Sequence, residues 1–334
     1  MYRAAAVAAF AFALAVWAPG CKSCRKRAPA LDAAKRARLL SEAPGITAIP
    51  KDARLVLSAD VSTLAESVLV QRMVRQMLLR DPGLRGEFRK LSETCEFDIE
   101  KDLKHVVIGM AGDRVIAVAT GRFIQSDIAS CLNRDARQSG STFEAKSAGG
   151  KSYWYVDKRG YERWMAVPVS KTFVLSTSED WLRDSLAGNA SVLDSAKMAS
   201  LIARVHHTSD VWGASWVPAS ISGNLAKVTG GQVKHPPKAL RFTLDILTGL
   251  KFRLDAQMKS PADAKAVASY VKRTLGLAKS LNLGKLAANV TTRVDGKAVT
   301  IQLSLTMEEL KEILSLVDIK PSRQQDRPAS APRN

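Results

Sequence analysis

The chain is poor in cysteine, in aromatic residues and in acids, and beyond its first twenty residues it has no long hydrophobic run. Four Cys in 334 residues cannot make the dense disulfide framework of a small secreted scaffold, so a packed apolar core has to hold the fold. Aromatic residues amount to 6%, which argues against a surface of stacked rings for single-stranded nucleic acid. The lack of further apolar stretches of about 20 residues excludes a polytopic helical membrane protein. Recognisable catalytic signatures are missing too: neither a G-x-S-x-G elbow nor an H-E-x-x-H zinc motif occurs. What is present is globular in character. Hydrophobic residues make up 46% and charged residues 25%, excluding a largely disordered chain. The length suits two domains or one large one.

Acids are outnumbered, 32 against 50 Lys and Arg, for a formal charge of +18. Such an excess invites a nucleic-acid or membrane-surface reading. Its distribution argues for the membrane. Residues 22–51 hold eight basic residues and two acids, and residues 319–334 hold four and one. With Arg3, the flanks carry +10 and the 267-residue body only +8. Residues 21–51, broken by Pro29, Pro44-Gly45 and Pro50, read as a basic tether, with a short helix over 31–40. Residues 319–334 have the Pro, Gln and Ser composition of a disordered tail. Arg72, Arg75, Arg85, Arg89 and Lys90 form a basic face on the first helices, but only Phe88 interleaves with it. No nucleic-acid partner is expected.

Residues 1–21 read MYRAAAVAAFAFALAVWAPGC. A short basic start at Arg3 leads into 15 apolar residues, Ala4 to Ala18, the length of a signal-peptide core and short for a membrane span. Pro19-Gly20 then precedes Cys21. This segment resembles the signal peptides of bacterial lipoproteins, in which small residues precede a Cys that is lipidated and becomes the new N-terminus. Gly20 and Cys21 fit that pattern, whereas Ala18 and Pro19 replace the usual Leu and Ala or Ser. The resemblance covers residues 1–20 as signal peptide and implies lipidation of Cys21, with the body held at a membrane and facing the periplasm or exterior. Several acyl chains anchor stably, at about 0.8 kcal/mol per buried CH₂. Two alternatives stay open: secretion without a lipid, and an uncleaved anchor with Lys22, Arg25, Lys26 and Arg27 on the cytoplasmic side.

The body reads as α+β. Strand signals at 54–59, 105–110 and 114–120 surround a long helix capped at Thr63, running to Arg80, and a shorter helix over 84–91. A helix at 126–133, four strands near 142–147, 152–156, 163–168 and 171–176, and a helix capped by Thr177 complete residues 52–190. Residues 191–318 repeat the order: a strand at 210–217, a hairpin over 241–258, a helix from Ser260-Pro261 to about 281, a hairpin turning at Asp295-Gly296, and a last helix opened by Thr306 and Glu309. Shifting the halves by 136 residues aligns Ile116 with Phe252 and Val118 with Leu254. The expectation is two repeated β-α-β-β-α-β-β-α units, with a chance likeness of generic α+β patterns as the alternative, their antiparallel sheets covered by helices on one face.

Candidate chemical sites are sparse. Cys95 and Cys131 are the only cysteines of the body; export would pair them as a disulfide, with two buried free thiols as the alternative. Cys21 and Cys24 spell C-K-S-C, but a Pro- and Ala-rich tether lacks the strand-to-helix turn that activates a redox pair. Gly149-Gly150-Lys151-Ser152 resembles the end of a phosphate loop, yet a strand follows it, and a hairpin turn is the better reading. Asp98, Glu100 and Asp102 alternate like a calcium loop but lack its Gly and its final Glu, and read as a solvated turn. His206, His207 and Asp210 lack metal-ligand spacing. No metal or cofactor is expected. The basic positions that could meet an anionic partner are Lys22, Arg25, Lys26 and Arg27 in the tether, and Lys234, His235 and Lys238 in the loop KHPPK. Trp154, Tyr155, Trp164, Trp212 and Trp216 lie in strands, where core packing accounts for them. The expectation is a lipid-anchored envelope protein with a binding or scaffolding role toward an envelope protein, glycan or anionic lipid. A hydrolase whose site assembles from distant residues is the alternative.

Overall fold

The computed structural model describes residues 33–317 apart from 96, 159, 218–230, 232, 234 and 281–283. The strands are β1 (Leu55–Asp60), β2 (Leu103–Ala111), β3 (Arg114–Gly121), β4 (Thr142–Ala148), β5 (Lys151–Lys158), β6 (Tyr161–Val169) and β7 (Thr172–Ser176) in the first half. In the second half they are β8 (Val211–Trp216), β9 (Ala239–Asp245), β10 (Gly249–Gln257), β11 (Val290–Asp295) and β12 (Ala298–Thr306). All twelve join one sheet in the order β11-β12-β10-β9-β8-β1-β2-β3-β7-β6-β5-β4, and every neighbouring pair is antiparallel. The α+β class is as expected, but the two halves do not form separate sheets. β1 and β8 pair from Leu55 opposite Ser215 to Ala59 opposite Val211 and fuse them.

Directly opposed residues share a face of a pleated sheet, so the register can be followed from strand to strand. One row runs Leu175, Ala117, Ile108, Leu57, Gly213, Phe242, Leu254, Ile301 and is apolar until it reaches Thr292 of the edge strand β11. The opposite face runs Ala166, Val174, Val118, Val107, Ser58, Trp212, Thr243, Arg253, Gln302, Thr291. This second row is apolar from Ala166 to Val107, passes Ser58 and Trp212 at the seam, and is polar from Thr243 to Thr291.

Helices cover both faces, not one. Helix Gln125–Ser139 packs Ile128 and Leu132 on Phe123, Trp154, Met165 and Leu175. On the same face farther along, helices Pro261–Ser280 and Met307–Val317 cover Ala256, Val299 and Leu305. On the other face, helix Glu179–Ala187 buries Trp181, Leu182 and Leu186 against Val56, Ile116 and Val174. The cause is legible in β6, where Trp164, Met165, Ala166 and Val167 are all buried. A run without alternation belongs to a strand packed on both sides.

The tether expected over 21–51 does not hold for its described residues, 33–51. Helix Ala33–Glu42 buries Leu39, and the following turn buries Ala43, Ile46 and Ile49 completely. These join the core under helix Glu179–Ala187, where each large apolar side chain contributes about 1.5–3 kcal/mol. Helix caps also differ from expectation. Asp60, not Thr63, caps Val61–Glu66 by accepting the Thr63 amide at 3.0 Å. Extended, buried Ser67 then separates this helix from Val68–Arg80. Ser178 caps Glu179–Ala187, while Thr177 Oγ1 accepts the Val115 amide at 2.9 Å. Ser260 and the Thr306–Glu309 box do cap their helices. Nor is 98–102 a solvated turn. It is a short helix, Ile99–Asp102, capped by Asp98, and the buried Asp102 carboxylate meets Arg122 Nε at 2.8 Å.

Candidate functional site: a polar groove on the open half of the sheet

Three short strand segments create the site. Arg241-Phe-Thr-Leu-Asp245 in β9, Lys251-Phe-Arg-Leu-Asp255 in β10 and Thr300-Ile-Gln-Leu-Ser304 in β12 alternate polar with apolar residues. A period of two sends the apolar set to the covered face and the polar set to the other. The polar set lies over the second half, beyond Trp212. There the sheet and the loop Ala203–Ser209 border a groove of about 770 Å³.

Asp255 organises the groove. Arg253 donates to it from Nε at 3.1 Å and from Nη2 at 3.0 Å, a bidentate pair, and Thr300 Oγ1 donates at 2.7 Å. Arg241 Nη2 lies 3.8 Å away, while its Nη1 donates to the Arg204 carbonyl at 3.3 Å. Burial raises the Asp255 pKa, but the bonds from Arg253 and Thr300 and the arginine charges outweigh it, and the carboxyl sits below the usual range. Arg241 shows the reverse. Burial, opposed by Asp255 and reinforced by the neighbouring Arg204 and Arg253 charges, holds it below the usual arginine range. Arginine does not lose its proton in proteins, so Arg241 stays charged there, half-buried beside Asp255. Two guanidinium groups share one carboxylate, with the Arg204 charge acting on Arg241, and the arrangement can accept another anion.

A second chemical pair lies deeper. Ser58 Oγ is 2.7 Å from His105 Nε2 across β1 and β2, with Asp60 near enough for its charge to raise the His105 pKa. This is nucleophile-to-base spacing, but Ser58 is 0% exposed and lies between Val107 and Trp212. Neither residue lines the groove. The pair satisfies a buried hydroxyl and offers no route to a substrate.

Of the described residues singled out in the sequence as site candidates, His206 alone lines the groove. Cys21, Lys22, Arg25, Lys26, Arg27 and Lys234 lie outside the described residues. His235 Nδ1 is 2.9 Å from Asp263 Oδ1 at the start of helix Pro261–Ser280, and Lys238 is an exposed residue entering β9. Cys95 and Cys131 are bonded, with Cα atoms 5.0 Å apart, and join helix Pro82–Cys95 to helix Gln125–Ser139. Of the His206-His207 pair, His206 lines the groove, whereas His207 packs edge-on against Trp212 and its Nε2 meets the Ile202 carbonyl at 2.7 Å. Gly149-Gly150 makes the hairpin between β4 and β5, and Lys151 Nζ donates to the Leu186 carbonyl. Among the described residues no group of three or more His, Cys, Asp or Glu is placed to hold a metal ion.

The groove residues were missed because each looks ordinary alone. The signal that could have found them is the repeated alternation RFTLD and KFRLD on paired strands.

No family model and no curated protein matches the chain. Among solved structures it is similar to one titled "Structure of crystal form I of TP0453", at 13% identity and a TM-score of 0.43, covering 82% of this chain and 98% of that one. At that level the likeness carries no argument about function.

Proposed function

We propose that this chain is a lipid-anchored cell-envelope protein with a non-enzymatic binding role, held at the membrane through Cys21 and presenting the polar groove to its partner. The observation that carries the binding role is the row from Val174 to Thr291, buried under helices in the first half and, among the described residues, lining a charged groove in the second. The resemblance of residues 1–21 to a lipoprotein signal supports the anchor, and the Cys95–Cys131 bond suits an oxidising compartment. Among the described residues no helix is long and apolar enough to cross a membrane. A basic segment beside the lipid would add about 1 kcal/mol per Lys or Arg at an anionic surface.

The body is read as two related halves. Counted outward from the β1–β8 pair, the order is β2, β3, β7, β6 on one side and β9, β10, β12, β11 on the other. The β5–β4 hairpin extends the first side only. The hydrolase alternative has the Ser58–His105 pair in its favour and the burial of Ser58 against it.

Fractionation tests the anchor. Wild-type protein should remain with membranes after a high-salt wash, and Cys21→Ala should abolish that retention. Equal retention of both proteins would count against the reading.

A further inference from the structure

We infer that the groove over β9, β10, β12 and β11 binds an acidic glycan, its sugar carboxylates pairing with Arg253, Arg241 and Lys251. This rests on the reading of the groove as a binding surface and names the ligand class.

Charge supplies the first argument. The groove is lined by Arg204, Arg241, Lys251 and Arg253 against Asp245 and Asp255, a surplus of two positive charges. Asp255 is already shared by two arginines and Thr300. An added carboxylate would relieve the repulsion among the guanidinium groups, and arginine forks match carboxylates in a bidentate way.

Hydrogen-bonding capacity supplies the second. Between the charges stand Thr243, Thr291, Gln302 and Ser304, all on this face by register. Hydroxyls and carboxamides both donate and accept, as a chain of sugar hydroxyls requires. Shape and polarity exclude the other occupants. The row Thr243, Arg253, Gln302, Thr291 crosses four strands and spans about 14 Å at the usual strand spacing, long enough for a short oligosaccharide. The strand side chains facing the groove by register are charged or polar, and although Ala203, Val205, Phe242, Phe252 and Leu303 also border it, an acyl chain would leave those polar groups without partners. All four strands are already paired except along the outer edge of β11, so a peptide cannot add as a strand within the groove.

The test uses the full-length chain extracted in detergent, with soluble polygalacturonate as probe and neutral dextran as control. Wild type should bind polygalacturonate at about 0.15 M salt, more weakly as salt rises, and should not bind dextran. The double variant Lys251→Gln, Arg253→Gln should weaken binding about tenfold or more, since two cationic partners of the sugar carboxylates are removed. Gln302→Glu, which leaves the arginines in place, should weaken it too, with unchanged melting as evidence that the fold persists. Neutralising Lys22, Arg25, Lys26 and Arg27 to Gln should leave affinity unchanged. The proposal is overturned if wild type does not bind, if dextran binds equally, or if the groove variants keep full affinity. It is also overturned if binding follows the tether variant, or if phosphatidylglycerol vesicles capture the protein while polygalacturonate does not. A groove that fails in protein correctly acylated at Cys21 sinks the glycan and leaves the anchor reading standing.

Discussion

Ser58 Oγ and His105 Nε2 lie 2.7 Å apart on adjacent strands, at the seam where the two halves of the sheet meet. Burial is the chief reason the His105 pKa falls below its usual 6.5, with the Asp60 carboxylate opposing. His207, facing Trp212, is likewise lowered mainly by burial. The folded protein therefore binds fewer protons than the unfolded chain, and such groups make stability fall as pH falls. Their contribution should be complete above about pH 6.5 and decline as pH drops through and below that value. His105→Gln keeps a partner for Ser58 but cannot titrate, so its urea midpoint should vary less than that of wild type between about pH 7 and 5. Identical slopes for the two proteins would contradict the assignment.

Reduction should loosen the first half. The Cys95–Cys131 bond closes a loop of 36 residues, for which chain-entropy arguments give about 3–4 kcal/mol. Cys95→Ser with Cys131→Ser, or reductant on wild type, should lower the melting temperature by similar amounts. A melt insensitive to both would show that the bond does not constrain the unfolded chain.

Gly213 in β8 stands opposite Leu57 and Phe242 on the apolar face. A Cβ there would collide with the Phe242 ring. Gly213→Ala should cost about 1–3 kcal/mol by overpacking, and Phe242→Leu in the same chain should recover part of it. Additive losses in the double variant would place the strain elsewhere.

Ile49 separates the tether expected from sequence from the fold observed. It is fully buried, and its side chain lies against Gly109 of β2. Ile49→Ala should destabilise by about 2–5 kcal/mol, measured by urea unfolding, whereas a residue in a free tether would cost almost nothing.

These sites also mark how far the sequence could be read. Element type was legible nearly throughout, because alternation in Lys251–Asp255 and the turn signals at Asp295-Gly296 are local. Fusion into one sheet was not, since β1 and β8 are joined by pairing across more than 150 residues that no local pattern announces. Leu39, Ile46 and Ile49 were hidden by the basic residues and prolines around them, although the spacing of these apolar side chains already favoured burial. Asp102 looked solvated because its partner, Arg122, arrives from the far end of the β2–β3 hairpin. The three alternating segments of the groove are local patterns, but alone they read only as strands. Their assembly was not legible, because it depends on which half the described helices leave open.

The anchored location bears most directly on the whole account, and the N-terminal peptide of membrane-extracted protein decides it. Mass spectrometry should find that peptide beginning at Cys21, with acyl chains added on its sulfur and amine. An intact Met1, or an unmodified Cys21, would contradict the account.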